Sequence, residues 1–277
     1  MELVKILKSN DGSQKYIFKF EQDDYNVEAV SFYEKSPNHS RICISSQLGC
    51  AMGCKFCLTG QIGFKRNIKC DEMIEMVNKI LEINKGTDFT IENILFMGMG
   101  EPLNNYDEVI SFCEKAGKLF SPKHIIISTS GIPQRIVDLA NSKLDIELMV
   151  SLHASNDATR NQIMPINIAH PLENLIKACT IFNKITNKKV IMSYMLIKDY
   201  NDSLEDINKL AKILNHDIFE IQILLYNETN LLNFKRPVGK KAEIVQEFLL
   251  KKGFGVDINI SKGRDILGAC GQLSGKE

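Results

Sequence analysis

Four of the eight cysteines in this chain fall in one stretch, RICISSQLGCAMGCKFCLTGQIG, at residues 41–63. Cys50, Cys54 and Cys57 form a C-x3-C-x2-C run, and Cys43 stands seven residues upstream of it. Three thiolates on one loop can hold three corners of an iron–sulfur cube and leave its fourth iron open to an outside ligand. Zinc is the competing metal, but structural zinc sites complete four protein ligands from paired C-x2-4-C or C/H elements. The sequence has no matching C-x2-C or H-x3-5-H downstream, which favours the cluster. Further polar groups gather in GMGEP (98–102), STSG (128–131), SLHA (151–154) and LLYNET (224–229). The small residues of GMGEP let the backbone approach a ligand, although a glycine turn between strand and helix explains the motif equally well. His153, taken alone, reads as a hydrogen-bonded core histidine.

Such groups need elements to position them. KYIFKF and YNVEAVSFYE read as a small N-terminal β-hairpin. From RICISS onward, apolar strand-like runs alternate with segments of helical spacing. IENILFMG, HIIISTS, IELMVSLH, KVIMSYML and FEIQILLY are each followed by a helical pattern, and a last strand-like run is VDINIS. Six strand–helix units with doubly buried strands imply a parallel sheet with helices outside it. They are too few for eight-unit closure, so the expected fold is α/β, a partial (β/α)6 barrel. The expected domains are a hairpin extension at 1–38 and the barrel with its C-terminal tail at 39–277. Each polar motif follows a strand, where such folds collect their chemistry.

The chain has 277 residues, 44% of them hydrophobic, a length that can bury one large core. Lys plus Arg and Asp plus Glu number 34 each, so no global field draws the protein to nucleic acid or membrane. No run approaches a membrane span, and the first residues lack a signal-peptide pattern. The expected compartment is the cytoplasm, where clustered thiols serve metals or catalysis before disulfides.

The motifs together carry a resemblance. CISSQLGCAMGCKFCLTGQIGFKRN, GMGEPLNN, STSGIP, SLHAS, IMPIN and the terminal ACGQLSG occur in an order and spacing similar to the RlmN/Cfr group of RNA adenosine methyltransferases. That group belongs to the radical S-adenosylmethionine (SAM) enzymes. The resemblance implies a partial radical SAM barrel and a 4Fe-4S cluster on Cys50, Cys54 and Cys57, with SAM on the open iron. It implies SAM contacts at Gly100, Glu101, Ser128, Ser151, Leu152, His153 and Asn227, with Glu101 accepting from the ammonium of SAM. It makes Cys270 the methyl carrier and Cys43 the thiol that resolves the protein–RNA adduct by disulfide formation, and it places Glu28 near the active site. The implied reaction methylates C2 or C8 of an adenosine in 23S rRNA, with tRNA a further substrate. An external one-electron donor such as flavodoxin or ferredoxin is implied, and a monomer is expected.

Cys70, Cys113 and Cys179 lie on helical patterns and read as packing residues, whereas Met52 sits where it can shield a cluster. Three short basic clusters, Lys65/Arg66, Lys235/Arg236 and Lys262/Arg264, are candidate phosphate contacts. The family's additional N-terminal helical domain is not found ahead of the hairpin. This leaves two alternatives open: a smaller substrate such as a nucleotide, small RNA or peptide, and a non-catalytic iron–sulfur or zinc RNA-binding module.

Overall fold

The computed structural model describes residues 1–33 and 40–275. The chain opens with strands β1 (Glu2–Lys8), β2 (Gln14–Lys19) and β3 (Asn26–Tyr33), followed by β4 (Ser40–Cys43) and β5 (Gln47–Leu48). After the cysteine loop come a short helix, α1 (Leu58–Ile62), the two-residue strand β6 (Arg66–Asn67) and helix α2 (Cys70–Ile83). Then follow β7 (Ile91–Phe96), α3 (Tyr106–Leu119), β8 (His124–Thr129), α4 (Pro133–Asn141) and β9 (Glu147–Ser151). Next are α5 (Asp157–Ile163), α6 (Ile166–Ala169), α7 (Leu172–Thr186), β10 (Val190–Leu196) and α8 (Leu204–Ile213). The barrel ends with β11 (Phe219–Leu225), α9 (Lys241–Leu250) and β12 (Gly255–Asn259).

The main sheet runs β1-β2-β3-β4-β7-β8-β9-β10-β11-β12. The pairings of β1 to β4 are antiparallel, and from β4 to β12 every neighbour is parallel. Six strand–helix units and a final strand are therefore present, as the alternating pattern predicts. Buried Ile94, Leu95 and Phe96 on β7, and Leu148, Met149 and Val150 on β9, fill both faces of the sheet. Helix α2 lays Met73, Met76, Val77 and Ile80 on it at helical spacing, all buried. Each such side chain contributes about 1.5–3 kcal/mol by leaving water.

Two features differ from the sequence reading. The opening hairpin is a three-stranded meander, because ELVKILK is itself a strand whose lysines interrupt its apolar pattern. Its third strand pairs with β4, Val30 opposite Cys43, so the meander continues the barrel sheet. The stretch read as irregular after SLHA holds α5 and α6, the first capped by Asn156, whose side chain accepts from Thr159 N–H at 2.9 Å. The expected boundary at residue 38 lies outside the described residues. Among those residues no helix is long and apolar enough to cross a membrane.

A candidate cluster and cofactor site at the strand ends

The cysteine loop springs from a clip. Strand β5 pairs with β6, and Gln47 reinforces it by donating to Asn67 Oδ1 at 2.8 Å. Between the strands the loop is pinned by Lys55 N–H to Ile163 O (2.9 Å) and by the Gln61 amide to the carbonyls of Cys54 and Cys57. Cys50, Cys54 and Cys57 line one cavity together with Met52, Gly100, Glu101, Ser128, Ser151, His153 and Cys270. Another hollow, between α5, α7 and α8, is lined by Asn156, Asp157, Glu173 and Ile213 and holds none of these groups.

Burial pushes the Cys50 thiol up to about 12. Burial, reinforced by Cys57 and Cys50, raises Cys54 well above its ordinary value. Burial disfavours the thiolate at all three positions, so a cationic group in the pocket would be needed to hold them ionised. Three cysteines of one loop that line one cavity fit three corners of an iron–sulfur cube.

The other groups fall into a working order. Gly100 has φ +100°, and a Cβ there would lie 2.5 Å from Gln47 Cβ, so only glycine fits this turn. Glu101 follows, buried, and its two oxygens accept four hydrogen bonds. Leu103 N–H (3.0 Å) and the Thr129 hydroxyl (2.6 Å) reach Oε1, while Ser130 N–H and hydroxyl (both 2.7 Å) reach Oε2. A carboxylate has about four lone-pair sites, so an ammonium would have to displace one of these donors. In this arrangement Glu101 ties the loop after β7 to the loop after β8.

His153 holds a left-handed backbone at φ +53°, uncommon for a non-glycine residue and frequent at functional sites. Its Nδ1 accepts from Met195 N–H at 3.0 Å, which leaves the ring proton on Nε2. Burial, helped by Arg160, lowers its pKa to about 3, so the ring is a neutral donor at ordinary pH. Phe56 packs edge-on against it at 5.2 Å. Ser128 and Ser151 line the cavity from β8 and β9, whereas Leu152 is fully buried behind it. Asn227 is buried too, behind the residues that line the cavity, and donates to the carbonyl of Cys270 at 3.2 Å; among the described residues its Oδ1 has no partner. That orphaned acceptor, the glycine turn at Gly100 and the His153 donor suit a polar ligand such as SAM.

The sequence reading passed over Arg160, which is fully buried. Its guanidinium donates to Leu152 O (3.0 Å), Ser151 O (3.0 Å), Ser130 O (2.6 Å) and Asn167 Oδ1 (2.8 Å). It joins the STSG and SLHA loops from behind, and its charge opposes the rise of Cys54. Its place between SLHA and IMPIN was the available signal.

The C-terminal tail crosses the same cavity. Leu58 N–H donates to Gly271 O at 2.8 Å, and the Thr59 hydroxyl to Leu273 O at 2.7 Å, so the tail is stitched to residues that directly follow Cys57. Gly271 has φ +83°, a backbone strained for any side chain, and a Cβ there would make a tight 3.2 Å contact with Phe56 O. Cys270 is exposed, and Cys43 is buried at the end of β4. Burial raises the Cys43 thiol, and proximity to Cys270 raises it further; Cys270 in turn feels Cys57. Glu28 does not line the cavity. It is fully buried on β3, 3.5 Å from Lys15 Nζ, and its Oε1 accepts from Gly275 N–H at 2.7 Å and Ser274 N–H at 3.4 Å. Cys70, Cys113 and Cys179 are buried on α2, α3 and α7.

Arg66 departs from its expected place. The guanidinium is held by Asp23 (2.5 Å) and Glu72 (2.7 Å) and lies over the Phe20 ring, so it is spent inside the protein.

Comparison with known proteins agrees with this geometry. Residues 44–214 match the model of the radical SAM superfamily. The chain is 38% identical over 291 residues to the dual-specificity RNA methyltransferase RlmN of Helicobacter pylori strain P12, covering 100% of this chain and 82% of that one. It is 39% identical over 292 residues to the corresponding protein of Aliarcobacter butzleri, covering 100% and 81%. The crystal structure of a radical SAM methyltransferase from Sphaerobacter thermophilus superposes with a TM-score of 0.94 at 31% identity, covering 99% of this chain and 81% of that one. Matches of this extent, on a fold and cavity derived independently, make the chain a member of the radical SAM superfamily and, within it, of the RlmN family.

Proposed function

We propose that this protein is a radical SAM C-methyltransferase that modifies C2 or C8 of an adenosine in 23S rRNA or tRNA. The observation that carries the reading is the placement of Cys270: exposed in the cavity of Cys50, Cys54 and Cys57, and close enough to Cys43 to affect its ionisation. The cluster and SAM, when bound, supply one-electron chemistry and a methyl donor. Cys50, Cys54 and Cys57 would hold the cluster. Gly100, Ser128, Ser151, His153 and Asn227 would hold SAM, while Leu152 and Glu101 shape its loops.

Ring carbons 2 and 8 of adenine are not nucleophilic, so they cannot take a methyl by direct displacement. A methyl carried on the sulfur of Cys270 can instead be joined to the ring as a covalent adduct, with one hydrogen lost from that methyl and one from the ring carbon, which the one-electron chemistry of the cluster and SAM would accept. Cys43 then attacks that sulfur, the S–S bond forms, and the bond between Cys270 sulfur and carbon breaks with its electron pair moving to carbon. Burial, with Cys270 beside it, disfavours the thiolate of Cys43, so its proton must be taken up as it attacks. The disulfide must afterwards be reduced, which suits a reducing cytoplasm, and a flavodoxin or ferredoxin would supply single electrons. The protein would act as a monomer.

The test is the mass of the C-terminal peptide of cluster-loaded enzyme given SAM, together with RNA methylation by Cys270→Ala. One added methyl on Cys270, and loss of RNA methylation in the variant with its iron and SAM binding retained, are expected. Methylation of RNA by Cys270→Ala at the wild-type rate would overturn the mechanism.

A further inference from the structure

Of the three basic clusters in the sequence, Arg66 is neutralised by two carboxylates and Lys65 lies over the Tyr25 ring. The other two meet beside the tail. Arg236 N–H donates to Glu228 Oε1 at 2.9 Å, and the Glu228 carbonyl accepts from Gln272 at 3.2 Å, two residues beyond Cys270. The loop bearing Arg236 is thus fastened to the tail next to the methyl carrier. Arg264 comes from the tail itself, which folds back through Gly268 N–H to Gly263 O at 2.8 Å. Both arginines thus come from segments fastened at the tail, and the charge of Arg264 is felt at Arg236.

The acids around them are already engaged. Glu228 faces both arginines but also takes Lys235 at 3.4 Å. Asp265 accepts from Ser9 and Asn10, and Asp11 accepts from the N–H groups of Ser13 and Gly263. Among the described residues neither guanidinium forms an ion pair, and Arg236 Nη1 is buried without any partner. Like charges held together with an unused donor match the fork geometry that binds phosphate oxygens.

An aromatic face adjoins them. Lys198 N–H donates to Lys235 O at 2.9 Å, joining the loops after β10 and β11. On these loops Tyr200, 42% exposed, packs on Phe234 at 5.0 Å. Phe234 rests on Tyr226 at 6.0 Å, beside Asn227 and hence the Cys270 carbonyl. Unstacked bases lie on such rings.

We propose that Arg236 and Arg264 form a clamp for the RNA backbone, with Tyr200 as a stacking surface for a base beside the nucleotide that enters the cavity. This rests on the RNA reading above. The test is binding of cluster-loaded enzyme to an unmodified transcript of the peptidyl-transferase region of 23S rRNA, over salt from about 50 to 200 mM. Arg236→Ala with Arg264→Ala should weaken binding about tenfold per arginine and flatten the log–log salt slope by about 1.5. Tyr200→Ala should weaken binding about tenfold with the slope unchanged. The methyl on Cys270, formed without RNA, reports whether each variant still folds and loads its cluster. If the double alanine variant fails that check, Arg236→Lys with Arg264→Lys decides: the slope stays and affinity falls several-fold if the clamp exists. Wild-type slope and affinity in the alanine variant would overturn the clamp alone. A wild-type enzyme that neither binds nor methylates the transcript or bulk tRNA would overturn the RNA reading and the clamp with it.

Discussion

Arg160 and Glu28 are both buried charges that brace this site, and they are held very differently. Arg160 gives hydrogen bonds to four acceptors within the chain, all between 2.6 and 3.0 Å. Three of these acceptors are backbone carbonyls at or just beyond the ends of β8 and β9, so it locks elements of the barrel. Glu28 holds the tail through one good and one long hydrogen bond to Oε1, while its Oε2 forms an ion pair with Lys15 at 3.5 Å and accepts no hydrogen bond among the described residues. Burial outweighs Lys15 and those two N–H groups, so its pKa is raised. A saturated network fixes its parts, whereas an under-satisfied one can let go. The difference separates a saturated brace behind the ends of β8 and β9 from an under-satisfied one at the last described residues, 274–275.

The largest effect should come from breaking the saturated side. Arg160→Ala strands four buried acceptors and should lower stability by about 3 kcal/mol or more, or the melting temperature by roughly 6–12 °C. Arg160→Lys should recover part of this by keeping the charge and some of the bonds. A melting temperature within about 2 °C of wild type for Arg160→Ala would show that the arginine fixes nothing.

A smaller and more local effect is expected from Glu28→Gln, which keeps an acceptor for Gly275 and removes the charge opposite Lys15. It should cost about 1 kcal/mol, and amide exchange at residues 272–275 should quicken several-fold while α2 and α7 keep their protection. Equal loosening throughout the molecule would erase the proposed contrast between tail and barrel.

The smallest effect concerns acid. Burial raises the Asp11 carboxyl, but hydrogen bonds from Ser13, Gly263 and Ser9 win and bring its pKa from 3.8 down to about 2. An acid with a depressed folded pKa stabilises the fold above its unfolded value and loses that support as pH falls through the folded one. Asp11 is exposed, so its share is about 1 kcal/mol or less. Urea unfolding between about pH 4 and pH 2 should fall less steeply for Asp11→Ala than for wild type. Identical slopes would remove Asp11 from the fastening of the tail.

Much of this was legible in the chain because it is local. Cys50, Cys54 and Cys57 announce themselves by spacing, and the six strand–helix units by alternation of apolar runs. What stayed hidden depends on partners far apart in sequence. Arg66 read as a phosphate contact because nothing local shows that Asp23, on the turn before β3, will reach it. Lys15 meets Glu28 only through the register of β2 with β3, where Ile17 stands opposite Glu28. Arg160 looked ordinary because its partners are backbone carbonyls, which carry no signature in side-chain types. The strand character of ELVKILK was masked by two lysines on an edge strand, where charge is common.

Among the described residues the main sheet does not close on itself: β1 and β12 are its edges, and no strand pairing joins them. The turn after β1 is instead buttoned to the segment after β12 by the bonds of Ser9 and Asn10 to Asp265 and of Gly263 to Asp11. Parting a seam closed by a backbone ladder would break the whole ladder. Parting this one exchanges three hydrogen bonds near the surface for water, so the sheet should open there before it opens between any of its paired strands. Segments from opposite ends of the sequence would then loosen together.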